Sequence, residues 1–217
     1  MPRAALFDMD RTLVRQDTAS LYVRYQRDVG EADVRQQLRV AGWLLQYTAG
    51  LIDAPAVAEK ALESFAGREE RWMALNCRDW YRRYVRPHIA ELGRERVKQH
   101  RARGEVLAIV TGATRYAAGP LSEELGVEHI VCSELEVSPN GRFTGRVVDP
   151  LCYGEGKIER TSRLARELGF TLEDATFYSD SITDRPLLEQ VANPVVVNPD
   201  RRLRSLARRR GWPIERW

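Results

Sequence analysis

Two aspartates, Asp8 and Asp10, close the first apolar run of the chain, Ala4-Ala5-Leu6-Phe7. A run so short, apolar and bounded predicts a strand buried in a parallel sheet, with Asp8 emerging at its carboxyl end. Open α/β sheets bind ligands at that end, so the placement points to phosphoryl chemistry rather than to a detail of the fold. Three further groups fall at predicted strand ends or a helix start. They are Thr111-Gly112-Ala113-Thr114, Gly154-Glu155-Gly156-Lys157, and Ser179-Asp180 with Asp184. Each also has a structural reading when taken singly. Asp8 and Asp10 fit turn and N-cap positions, Thr111-Gly112 fits a strand-to-helix turn capped by Thr114, and Asp180 and Asp184 fit a helix start. Lys157 alone reads as a solvated helix residue, although the glycines before it would let a helix N-terminus approach an anion. A parallel sheet would gather all four groups in one crevice.

The elements that must position them follow from periodicity. Residues 17 to 86 carry no strand pattern. Their apolar positions fall at helical spacing, at Val34, Leu38, Ala41 and Leu45 and again at Met73, Cys77, Trp80 and Tyr84, with Asp17 and Thr18 as N-caps. From Pro87 the pattern alternates: a helix to about Arg103, a strand from Val106 to Val110, a helix from Arg115 to Leu125, and a short strand from Ile130 to Cys132. Glu134 to Val137 and Arg142 to Val148, joined through Pro139-Asn140-Gly141, read as a hairpin-like excursion. A helix from Gly156 to Leu168, a strand from Ala175 to Tyr178, a helix from Arg185 to Glu189, a strand from Val195 to Val197 and a terminal helix complete the series. The fold class expected is α/β: a Rossmann-like parallel sheet flanked by helices, residues 1–16 and 87–217, with an inserted all-helical cap, residues 17–86.

Bulk properties bound the function. At 217 residues and 43% hydrophobic content, the chain can bury a sizeable core, which argues against disorder. Its longest apolar stretches, Ala41 to Leu45 and Val106 to Val110, fall far short of the roughly 20 residues that cross a bilayer. Met1-Pro2-Arg3 runs straight into the first strand, so no secretory leader is expected. Cys77, Cys132 and Cys152 show no CxxC spacing, as for reduced thiols in a cytoplasmic protein. His88, His100 and His129 show no metal-ligand spacing. The net charge of +3 is small, and no nucleic-acid partner is expected. Arg201, Arg202, Arg204, Arg208, Arg209 and Arg210 could meet phosphates or an anionic membrane. The stripe Leu203, Leu206 and Ala207 favours instead a helix packed on the sheet with its arginines in water.

In order and context the four groups resemble the motifs of the haloacid dehalogenase (HAD) superfamily: DxDx[TV] from Asp8 to Thr12, a Ser/Thr at Thr111, a basic residue at Lys157, and the paired acids Asp180 and Asp184. A helical cap between the first two motifs is similar to the phosphoserine phosphatase-like branch. Stretches such as IVTGAT, GEGK and VVVNPDRRLR look like its hydrolases related to bacterial histidinol-phosphate phosphatases. The resemblance implies a magnesium-dependent phosphatase that hydrolyses a small phosphorylated metabolite through an aspartyl-phosphate. Asp8 would be the nucleophile and Asp10 the acid that protonates the leaving alcohol, then the base for water. Magnesium would be held by Asp8, Asp180 and the Asp10 carbonyl, with Asp184 acting through water or as support. Thr111, the Gly112 amide and Lys157 would hold the phosphoryl oxygens.

Asp10 also separates this chain from dehalogenases of the superfamily, which lack an acid there. The last motif departs from the GDGxND of phosphoserine phosphatases, with Ser181 and Thr183 in place of Gly and Asn, which loosens the link to an amino-acid substrate. Asp17 matches the position of a Glu that reads the substrate amine, implying histidinol phosphate or phosphoserine, and it fits a helix N-cap equally well. Arg11 and Arg115 lie beside the motifs and read either as substrate contacts or as solvated residues. Rival readings are a phosphotransferase or phosphomutase on the same site, a lipid-phosphate phosphatase using the basic tail at a membrane, and a non-catalytic binding protein. The last would be expected to lack a motif acid.

Overall fold

The computed structural model describes residues 2–30, 63 and 65–217. The helical spacing at Val34, Leu38, Ala41 and Leu45 lies outside the described residues, as does the middle of the stretch read as a cap. The helices and strands in chain order are β1 (Ala4–Phe7), α1 (Thr18–Asp28), α2 (Glu70–Trp80), α3 (Glu91–Ala102), β2 (Val106–Thr114), α4 (Arg115–Leu125), β3 (His129–Val137), β4 (Phe143–Val148), α5 (Glu155–Leu168), β5 (Ala175–Ser179), α6 (Arg185–Leu188), β6 (Asn193–Val197), α7 (Arg201–Arg210) and β7 (Ile214–Glu215).

The strands form one sheet in the order β4-β3-β2-β1-β5-β6-β7, parallel except where β4 runs against β3. β1 sits at its centre. Phe7 pairs with Ile109 of β2 on one side and with Tyr178 of β5 on the other. The chain therefore winds outward from β1 in both directions, which puts the topological switch point, and with it the crevice for a ligand, just beyond Phe7.

Side chains of the central strands alternate between two apolar layers, as a sheet covered on both faces requires. Ala5, Phe7 and Ile109 join one layer with Val97, Leu121, Met73 and Trp80, while Leu6, Ala108, Phe177 and Val196 join the other with Leu187, Leu203 and Leu206. The stripe Met73, Cys77 and Trp80 is buried as its spacing predicts. After Trp80 the helix loosens into a π-turn over Tyr81–Val85 and a 3₁₀ turn over Arg86–His88, so the helix expected from Pro87 begins only at Glu91. α2 and the turn after it are tied to α4 by Arg78 on Glu123 (2.6 Å) and by the Tyr81 hydroxyl on Glu124 (2.7 Å).

Three expectations need correction. β2 does not stop at Val110 but runs to Thr114, because Thr114 resumes pairing with Ser133 after an irregularity in the ladder. Such a bulge bends the strand at the point where Thr111 and Gly112 sit. Ile130 to Cys132 and Glu134 to Val137 are one strand, β3, pairing with β2 and then with β4, since no turn residue separates them. The terminal helix ends at Gly211, whose φ of 69° suits a helix C-cap, and Ile214–Glu215 adds a seventh strand beside Val196. The arginine-rich helix otherwise follows the packed reading: Leu203, Leu206 and Ala207 are buried, and Arg201, Arg202, Arg208, Arg209 and Arg210 are exposed.

Candidate active site

Asp8 leaves β1 with its amide donated to the Tyr178 carbonyl at 2.9 Å, which ties the first acid to the strand carrying the last motif. The residue is only 6% exposed, and its carboxylate accepts from Lys157 Nζ at 2.8 Å. Lys157, on the first turn of α5 and 3% exposed, also donates to Asp184 Oδ2 at 2.7 Å. The Ser179 hydroxyl donates to that same oxygen at 2.7 Å. The helix start that carries Lys157 depends on glycine. A Cβ on Gly156 would stand 1.9 Å from the Leu151 carbonyl, and Gly154 takes a backbone (φ 52°, ψ −122°) open to glycine alone.

Asp10 is half-buried, and its Oδ1 accepts the Thr18 amide at 2.6 Å, so the carboxylate lies at the N-terminus of α1. Asp17 caps the same helix: its Oδ1 accepts from the Ser20 amide and hydroxyl, both at 2.8 Å. Thr111 is fully buried and its hydroxyl accepts from the Ala113 amide at 3.1 Å, while Gly112 is exposed. Arg11 is exposed, and its charge acts on Asp180. Arg115 turns towards Glu134 at 3.6 Å. The structure thus joins Asp8, Lys157 and Asp184 directly and sets Asp10 and Asp180 beside them, whereas Asp17 and Arg115 have structural partners of their own.

The electrostatics are those of too many acids for one lysine. Burial pushes the Asp8 carboxyl well above its ordinary value. Lys157 pulls it down, while Asp184, Asp180 and Asp10 push it further up. Burial raises Asp10 too, against the lowering effect of Thr18. Asp180 is pushed up to about 7 by burial and then by Asp184. Burial opposes the Lys157 ammonium, but Asp184 and Asp8 outweigh it and hold its pKa above the lysine norm. The thiols do not compete as nucleophiles, since burial pushes Cys77 and Cys152 up to about 12 and Cys132 to about 11.

A divalent cation would resolve the excess of acid. Among the described residues no three His, Cys, Asp or Glu side chains form a ready ligand set. The donors left are of another kind. Asp180 is 7% exposed and carries no hydrogen bond or ion pair to its carboxylate among the described residues, while Asp184 is committed to Lys157 and Ser179. Two carboxylates, Asp8 and Asp180, with a main-chain oxygen and waters, suit magnesium, which needs few protein ligands.

The sign of the pH effect is definite. Asp180 has a folded pKa above its unfolded 3.8, so its protonated form favours the fold. That contribution is present at low pH and is lost as pH rises through about 7. The melting temperature of the protein in chelator is expected to fall between about pH 5 and 8. The fall should be shallower in Asp180→Asn, and a slope unchanged in that variant would refute the account.

Ser179, which stands in the last motif but was given no role from sequence, orients Asp184. Asp200 escaped the motif reading: it accepts from the Ile182 amide at 2.8 Å while donating its own amide to the Asp180 carbonyl at 3.0 Å. Asp200 carried one local signal, an acid three residues before the first apolar position of a helical stripe. His100 is a core residue, linked to Glu105 at 2.5 Å and to the Tyr178 hydroxyl at 2.8 Å. All three cysteines are buried free thiols, and no helix among the described residues is long and apolar enough to cross a membrane.

Comparison with known proteins bears on the family and the fold. The sequence model of the haloacid dehalogenase-like hydrolases matches residues 5–189. A histidinol-phosphatase from Neisseria meningitidis is 30% identical over 99% of this chain and 98% of the relative. A phosphoserine phosphatase from Mycobacterium tuberculosis is 32% identical over 97% of this chain and 70% of the relative. Among solved structures, a protein of unknown function from Bordetella pertussis superposes with a TM-score of 0.90 at 30% identity, covering 99% of this chain and 98% of that one. A phospho-aspartyl intermediate analogue of phosphoserine phosphatase shares the fold with a TM-score of 0.69 at 20% identity, over 99% of this chain and 92% of that one. The chain belongs to the haloacid dehalogenase-like hydrolases, on the phosphatase side of that family.

Proposed function

We propose that the protein is a magnesium-dependent phosphatase that hydrolyses a small, amine-bearing phosphomonoester such as histidinol phosphate through an aspartyl-phosphate. The observation that carries this reading is the buried Asp8–Lys157–Asp184 cluster at the sheet's switch point, with Asp10 two residues beyond the nucleophile. Likeness to a histidinol-phosphatase along nearly its whole length supports the substrate class.

In the first step an Asp8 oxygen attacks phosphorus in line and the bond to the leaving oxygen breaks, that oxygen taking its proton from Asp10. The raised pKa of Asp10 suits it to hold that proton near neutral pH. In the second step Asp10 takes a proton from water as the water attacks phosphorus, and the bond to Asp8 breaks to release phosphate. Lys157, the Thr111 hydroxyl and the Gly112 amide hold the phosphoryl oxygens throughout. Magnesium held by Asp8, Asp180 and the Asp10 carbonyl would neutralise the charge of substrate and carboxylates together. Residues 17–86 are proposed as the cap over this site, with the remainder as the catalytic core.

The test is a panel of phosphomonoesters in magnesium and in chelator, ranked by kcat/KM: histidinol phosphate, phosphoserine, sugar phosphates and lysophosphatidic acid. Histidinol phosphate is expected to lead, with activity lost in chelator. Preference for the lysolipid, or turnover without metal, would overturn the proposal.

A further inference from the structure

One short segment beyond β6, Asn198-Pro199-Asp200, holds both acid-bearing loops. Asn198 Nδ2 donates to the Arg11 carbonyl at 3.0 Å, and Asp200 grips the other loop at the Ile182 amide and the Asp180 carbonyl. Arg11 and Asn198 are the two non-glycine residues with left-handed backbone among the described residues, at φ 52° and 44°. A side chain in that region is strained and persists where its surroundings hold it.

Within the turn, a bridge between Asp10 and Val14, the Val14 amide on the Met9 carbonyl at 2.9 Å and the Arg11 amide on the Gln16 carbonyl at 3.4 Å close the loop, and Asn198 adds a contact from outside it. This is the turn that follows Asp10 and sets where the Asp10 side chain leaves the loop. The segment is itself anchored. The Asn198 amide donates to the Glu215 carbonyl at 3.0 Å, Asn198 Oδ1 accepts the Trp217 amide at 3.0 Å, and Asp200 Oδ1 caps α7 at the Leu203 amide at 2.8 Å. Trp217 packs in turn on Tyr178, the residue paired with Phe7.

We propose that Asn198 and Asp200 are positioning residues, a bracket that sets the separation between the Asp10 loop and the Asp180 loop. The proposal rests on Asp10 being the acid that protonates the leaving group. Proton transfer needs heavy atoms roughly 2.6–3.2 Å apart, and a displacement of about 1 Å can cost on the order of 100-fold in rate.

Asn198→Gly keeps the left-handed backbone and deletes the donor, while Asn198→Asp keeps the acceptor for Trp217 and replaces the donor with a second acceptor. The readout is kcat/KM on a primary alkyl phosphate and on 4-nitrophenyl phosphate, whose leaving group departs without a proton. Both variants are expected to lose at least about tenfold more on the alkyl ester than on the aryl ester, with a melting temperature near the parent's. Either variant alone gives the comparison if the other fails to fold. Asp200→Asn, which retains one acceptor, is expected to raise at least about fivefold the magnesium concentration that gives the parent's metal-induced rise in melting temperature, and the concentration for half-maximal activity with it. Equal losses on the two esters, or parental activity on both, would overturn the role of Asn198, and an unchanged magnesium requirement that of Asp200. A parent inert towards both esters would overturn the phosphatase reading and this proposal with it, so the two failures are distinguishable.

Discussion

Asp8→Asn is expected to lower phosphatase kcat by about 10⁴-fold or more while leaving the protein folded. The expectation has two parts with separate physical grounds. An amide oxygen carries no charge and cannot displace an alkoxide from phosphorus, so the covalent route closes, and about 5 kcal/mol of barrier lowering goes with it. The fold has little reason to suffer. The Asp8 carboxylate is itself penalised by burial and by neighbouring acids, and Lys157 keeps Asp184 as a partner at 2.7 Å. In metal-free buffer near pH 8 the variant should therefore melt at or above the parent's temperature. Activity within tenfold of the parent would remove Asp8 from the mechanism. A folded, inactive Asp8→Ala would exclude effects peculiar to asparagine.

Removing the one cation of the cluster should act on stability as well as on rate. Lys157→Met leaves Asp8 and Asp184 buried without their common partner, and breaking a buried pair in this way costs about 3–5 kcal/mol. The side chain it replaces is 4% exposed, so solvent offers little screening. The Asp8 carboxyl, already raised by burial, can escape part of the cost by protonating. The deficit against the parent should therefore be larger at pH 8 than at pH 5, read as urea midpoints at each pH. Phosphate release should fall as well, since a charge opposite the phosphoryl oxygens is lost. A parental midpoint at pH 8 would refute the view that Lys157 compensates the two buried carboxylates.

Much of this site was legible in the chain because its signals are local. Ala4–Phe7 is a strand as its composition predicts, and α4 spans Arg115–Leu125 between a motif and a glycine stop. Asp8, Asp10, Lys157, Asp180 and Asp184 could be named because each stands at a fixed offset from such an element. What depended on pairing with distant strands was not legible. The run of β2 to Thr114 is set by Ser133, the continuity of β3 by partners on both edges, and β7 by an empty edge of β6.

By itself the sequence determined the alternation of elements and the kinds of group at their ends, since hydrophobic period and residue chemistry are properties of neighbours in the chain. Tertiary structure alone decided which acid meets which partner. Asp184 became the partner of Lys157, and Asp180 was left with no hydrogen bond or ion pair to its carboxylate among the described residues. It also brought Asn198 to Arg11 across 187 positions of chain. Such assignments follow from distances and burial once the sheet is assembled. The strength of a charge or hydrogen bond depends on what surrounds it, and the surroundings here come from strands that are far apart in sequence.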